Sequence, residues 1–105
     1  MKEKLQELVE KMNDNPSGLD QLSATYNFLL TDGEAYSVEF FDKGVELSDQ
    51  ASENASCTLK LKKDNLLKLI SGDLNATSAF MMGKIKVDGN IGLALKLQNV
   101  LNNYR

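Results

Sequence analysis

Ser78-Ala79-Phe80-Met81-Met82-Gly83-Lys84-Ile85-Lys86-Val87-Asp88-Gly89-Asn90-Ile91-Gly92-Leu93-Ala94-Leu95-Lys96-Leu97-Gln98 changes period twice within twenty-one residues. The first part closes a short helical piece that begins near Asn75 and stops at Gly83, where glycine accepts backbone angles other residues avoid. Lys84 to Asp88 then alternates polar with apolar residues, the two-residue period of a half-buried strand. Asn90 is placed to cap a final helix reaching about Asn103. A helix, an alternating strand and a second helix in close succession predict an α+β architecture.

Upstream, the pattern separates into one helix and four strands. Leu5, Leu8, Val9 and Met12 recur at the spacing of a single helix face. Asn13-Asp14-Asn15-Pro16-Ser17-Gly18 ends that helix. Ala24, Tyr26, Phe28 and Leu30 alternate with their neighbours, as do Tyr36, Val38 and Phe40, with Asp32-Gly33 as the hairpin turn between them. Asp42-Lys43-Gly44 supplies another turn, and Val45 with Leu47 a third strand. The polar run from Ser48 to Ser56 reads as a surface loop, followed by a fourth strand with Cys57, Leu59 and Leu61 on one side. These four strands are expected to form an antiparallel meander with one wet face. Asp64 is the expected cap of a helix carrying Leu66, Leu67, Leu69 and Ile70 and ending at Gly72. The expected whole is a five-stranded, mainly antiparallel sheet with helices on its apolar face, in a single domain over residues 1–105.

Composition narrows the chemistry. The 105 residues carry twelve Lys and Arg against fifteen Asp and Glu, a net charge of −3. That balance disfavours a nucleic-acid partner, which needs concentrated positive charge, and it equally disfavours binding to an anionic membrane through a basic surface. No His is present and only one Cys, which removes the Ser-His-Asp triad, the Cys-His pair, imidazole metal sites and an internal disulfide. No segment approaches the roughly 18 apolar residues of a membrane span, so a cytoplasmic, reduced, non-membrane protein is expected, with no cofactor and no metal. Asp32 with Glu34, and Asp42 with Glu46, flank turns and read as solvated carboxylates. Cys57 is in phase with Leu59 and Leu61 and reads as a small buried hydrophobe. Gly89-Asn90-Ile91-Gly92 superficially matches a nucleic-acid-binding GXXG loop without its basic context, and its ordinary task is to turn strand into helix.

Two features remain. On the last helix Ile91, Leu93, Ala94, Leu95, Leu97, Val100, Leu101 and Tyr104 span an apolar arc of roughly 220°, about twice what a helix needs to sit on a core. It therefore touches apolar matter on two sides, as core packing or as the wall of a cavity. Gln98 falls inside that arc, where a buried amide must find the backbone, water or a ligand's polar end. Phe80-Met81-Met82 cannot all face one core, and methionine suits partners of varied shape.

The stretch from Gly72-Asp73-Leu74 through Gln98, with its Gly-Lys-strand-Gly-helix order, resembles the sterol carrier protein 2 family. The layout of the first half agrees, so the resemblance spans essentially the whole chain. It implies an apolar tunnel between sheet and helices for sterols, fatty acids or fatty acyl-CoA. Carried onto matching positions, it implies a tunnel lined by Phe80, Met81, Ile85, Ile91, Leu95 and Gln98, with Leu66 and Ile70 from the preceding helix. Members often carry an aromatic and a polar residue where this chain has Met81 and Met82. The expected function is that of a non-enzymatic lipid carrier. The alternative is an interaction module, dimerising or serving a partner enzyme through the same apolar surface.

Overall fold

A computed structural model describes residues 1–42 and 44–104; Lys43, at the expected second turn, lies outside them. Helix α1 (Lys2–Asp14) leads through a 3-10 turn (Pro16–Leu19) into strands β1 (Ala24–Leu30), β2 (Ala35–Phe41) and β3 (Gly44–Ser48). Strand β4 (Cys57–Leu61), helices α2 (Lys63–Ser71) and α3 (Ala76–Met81), strand β5 (Ile85–Gly89) and helix α4 (Ile91–Asn102) complete the chain. The sheet order is β3-β2-β1-β4-β5.

The first three strands form the expected meander, with Tyr26 opposite Val38 and Phe40 opposite Val45. The fourth does not continue it. β4 lies beside β1 and parallel to it, pairing Tyr26 with Cys57 and Phe28 with Leu59, and β5 adds antiparallel to β4, with Leu61 opposite Ile85. The polar run 49–56 is therefore a strap that crosses the sheet from one edge to the far side of β1. Three strand spacings of about 4.8 Å amount to roughly 14 Å, well within the reach of eight residues. Asn27 holds the strap: its amide donates to the carbonyl of Ser52 at 2.9 Å and accepts from the Ser52 N–H at 2.8 Å. This explains why Asn27 is buried although it alternates with the core residues of β1. The sheet gains a buried central strand, and Cys57, Leu59 and Leu61 reach the middle of the core.

Helix ends follow local chemistry, with one correction. The Asn75 side chain accepts from the N–H groups of Thr77 and Ser78, and that of Asn90 from Leu93. Asp64 is not a cap. It sits inside the first turn of α2, whose cap position is Lys62, and there its charge opposes the positive end of the helix dipole. Gly72, with φ of 96°, ends α2 as expected.

The helices cover the apolar face of the sheet. α1 buries Leu5, Val9 and Met12 and shields the outer strand, where Asn13 bonds both the N–H (2.8 Å) and the carbonyl (3.0 Å) of Val45. At the other end of the chain the Tyr104 hydroxyl donates to the carbonyl of Asn15, and its ring lies where a side chain on Gly18 would be. The segment after α4 is thereby fastened to the turn that follows α1.

Candidate functional site

The core contains a small cavity of about 20 Å³ bounded only by apolar surface. Phe28, Val38 and Phe40 form its floor on β1 and β2; Leu8 and Met12 of α1, Leu66 and Ile70 of α2, and Leu97 and Leu101 of α4 form its roof. The sheet supplies every second residue and each helix one stripe, so the wall has no polar group to hold water.

Of the eight residues expected to line a tunnel, Leu66 and Ile70 bound this cavity. Ile85 is buried in the adjoining core. Phe80, Met81, Ile91 and Leu95 lie instead on the surface, Met81 with 81% of its area exposed, joined there by Met82 at 60%. The wide apolar arc of α4 is thus divided. Ala94, Leu97 and Leu101 face inward, and Ile91 and Leu95 face out. Gln98 is buried with both polar ends taken. Its carbonyl accepts from the Ala76 N–H at 2.7 Å, and its amide nitrogen donates to Asn102 at 3.2 Å. It fastens the start of α3 to α4, the backbone partner being one of the three outcomes its position on the wheel allowed.

The other walls of the cavity fall on Leu5, Leu8, Val9 and Met12 of α1, on Phe28, Val38 and Phe40 of the sheet, and on Leu97 and Leu101 of α4. Their periodicity marks them as core-facing in the sequence. Nothing along the chain says that α1 and α2 meet over the β1–β2 hairpin.

Ionisable groups in the interior are held neutral. Tyr26 is fully buried; its hydroxyl donates to the carbonyl of Leu93 at 2.7 Å and its ring meets Phe40 edge-on, with centroids 5.5 Å apart. Burial, and then the neighbouring Cys57, pushes its pKa well up. The Cys57 thiol is also pushed up, first by burial and then by Asp88, so it remains protonated and a poor nucleophile. The Asp32 carboxylate is held below its usual range chiefly by the Glu34 N–H, 3.0 Å away. It is part of a turn at the surface. A polar cleft of about 980 Å³ lies beside β3 and the strap. Glu39 and Glu46 face each other there across adjacent strands. Among the described residues no three Cys, Asp or Glu side chains converge as a metal site requires.

The architecture is a sheet roofed by helices around an apolar cavity, and the comparisons give the family. The model of the SCP-2 sterol transfer family matches residues 3–102, and the chain belongs to that family. Hydroxysteroid dehydrogenase-like protein 2 of Bos taurus is 35% identical over 82 residues, covering 75% of this chain and 20% of that protein. Sterol carrier protein 2 of Oryctolagus cuniculus is 46% identical over 50 residues, 48% of this chain and 9% of that one. The chain thus spans a fifth or less of these relatives. The solution structure of the sterol carrier protein domain 2 of Helicoverpa armigera superposes with a TM-score of 0.75 at 28% identity, covering 96% of this chain and 85% of that one. Five strands, one parallel pair and four α-helices are the shared architecture. Family and fold together place the chain among lipid-binding and lipid-transfer domains.

Proposed function

We propose that this chain is a non-enzymatic carrier that takes the hydrocarbon part of a fatty acid, fatty acyl-CoA or sterol-like amphiphile between its sheet and its helices. The observation that carries this reading is the wholly apolar cavity under α1, α2 and α4, set in a molecule whose α3 and α4 also present large apolar side chains to solvent. In this reading Leu66, Ile70 and Ile85 are the inner wall. Phe80, Met81, Ile91 and Leu95 are the mouth, and Gln98 positions α3 against α4. Burial of an acyl chain supplies the driving force, about 0.8 kcal/mol per methylene before the costs of binding. The neutral Cys57 and Tyr26 and the absence of His leave no assembled acid, base and nucleophile.

Native mass spectrometry after incubation with palmitate, palmitoyl-CoA and cholesterol tests the proposal. A lipid adduct that disappears on denaturation is expected. The double variant Phe80→Glu/Leu95→Glu alters only exposed positions, so it should fold and lose the adduct. Unchanged uptake by that variant sinks the assignment of the mouth, and a protein that stays bare with all three lipids sinks the carrier.

The second reading is an accessory module for an enzyme or a dimerising domain. It draws support from the dehydrogenase-like relative, of which a chain like this one is only a part. Sedimentation that shows a mass rising with concentration, abolished by Met82→Glu, favours it.

A further inference from the structure

We infer that the groove between α1 and α2 holds the anionic head of the bound amphiphile, so that a long-chain carboxylate is the preferred ligand. This rests on the carrier reading and adds the place of the head. The far end of the chain then reaches toward the mouth on α3 and α4.

Position is the first observation. A groove of about 740 Å³ lies over the helical layer, with Leu8 of α1 and Leu67 and Ile70 of α2 among its walls. Leu8 and Ile70 also bound the apolar cavity beneath. Both are half-buried, and they form the partition between the two spaces. α1 packs its backbone closely against β3, and α3 against β5 and α4, but α1 and α2 are not brought together in this way. Parting α1 from α2 therefore joins groove and cavity while every strand pairing stays intact.

Charge is the second observation. Lys4, Lys11 and Lys68 stand on the walls of the groove against Glu7 and Asp73. Glu7 is taken by Lys4, 3.7 Å away, and Asp73 accepts from the Ser71 hydroxyl at 3.1 Å. Lys11 donates to the carbonyl of Tyr104 at 3.4 Å. Among the described residues neither Lys11 nor Lys68 forms an ion pair with a carboxylate. Lys11 comes from one wall and Lys68 from the other, and Lys11 follows Leu8 by three residues on the same side of α1. A carboxylate held between these two lysines sits above the partition, with its hydrocarbon directed into the cavity.

The opposite flank of α1 supplies the contrast. Among the described residues the polar cleft there touches the cavity through Val9 alone, and its walls carry Glu10, Glu39, Glu46 and Asp49 against Lys2. A carboxylate is repelled on that flank and attracted on the other. Burial of the chain drives uptake whatever the head; the two flanks of α1 choose which head is accepted and which way round it lies.

Isothermal titration calorimetry with laurate, dodecanol and dodecylammonium, chains of equal length that differ in head charge, tests the inference. Laurate should bind about tenfold more tightly than dodecanol, from two exposed ion pairs, and the gap should narrow as salt is raised. Lys11→Gln/Lys68→Gln should close that gap and leave dodecanol bound as in the parent. Lys11→Glu/Lys68→Glu should reverse the preference and take dodecylammonium above laurate, a gain that loss of structure cannot produce. A Gln variant that folds and keeps the gap overturns the inference. So does equal loss of laurate and dodecanol in that variant, because the lysines then act on the fold and not on the head. Laurate and dodecanol bound alike by the parent leave the carrier standing and remove only the head site. A parent that takes up none of the three removes both.

Discussion

At the scale of single residues, the side chains that stood out in the sequence mostly hold the structure together. Gln98 was legible as a buried amide, and its partners proved to be the Ala76 N–H and Asn102. Cys57 was legible as buried, and it is. Tyr36 was read only as a strand residue, yet its hydroxyl donates to Glu34 at 2.7 Å. That bond, together with burial and the nearby carboxylates, pushes its pKa up to about 12 from an ordinary 10.0. Because the raised group is an acid whose neutral form is favoured in the fold, the stability it contributes is full below about pH 10 and lost as pH rises toward 12. Ultraviolet titration should show a tyrosine ionising near pH 12, moved down toward the ordinary value by Glu34→Gln. The transition staying in place in that variant would contradict the role assigned to Glu34.

At the scale of elements, two glycines with nearly the same backbone angle separate conformational cost from crowding. Gly33 has φ of 100° with nothing near its absent side chain, whereas Gly89 has φ of 99° and a side chain there would lie 2.6 Å from the carbonyl oxygen of Ser56. Gly33→Ala should cost about 1–2 kcal/mol, the penalty of left-handed backbone alone. Gly89→Ala should cost more by about 1–3 kcal/mol, because the obstacle is strap backbone that cannot rotate away. Urea unfolding of the two variants checks this; equal losses would mean that the strap gives way. The hairpin glycine was predictable from Asp32-Gly33. The demand on Gly89 depends on where the strap runs, and a four-strand meander does not put Ser56 beside it.

At the scale of the whole molecule, capacity is the issue. The cavity of about 20 Å³ compares with roughly 300–1,000 Å³ for pockets that enclose a small-molecule ligand. Uptake of a lipid therefore requires the helical layer to lift from the sheet. β1, flanked on both sides by strands and pinned by Asn27 to the strap, is the fixed half. α3 is six residues long and is fastened to α4 through Gln98. With palmitate at about one hundred times its Kd, stability should rise by about 2.7 kcal/mol. Amide exchange should change in the helices and not in β1. An unchanged melting temperature with bound lipid, or protection confined to the strands, would rule out this mode of opening.

The sequence by itself determined the elements, their inward faces, the Asn75 and Asn90 caps, and the exclusion of His-dependent chemistry. These are properties of residue type and spacing along a few turns of chain. The tertiary structure decided the rest. β4 pairs with β1 and not β3, because either edge satisfies its alternating pattern and only the strap's anchorage at Asn27 distinguishes them. It also decided that Phe80, Met81, Ile91 and Leu95 face solvent while Leu66 and Ile70 bound the cavity. Periodicity states which side of an element is apolar; what covers that side depends on contacts made by residues far away in the chain.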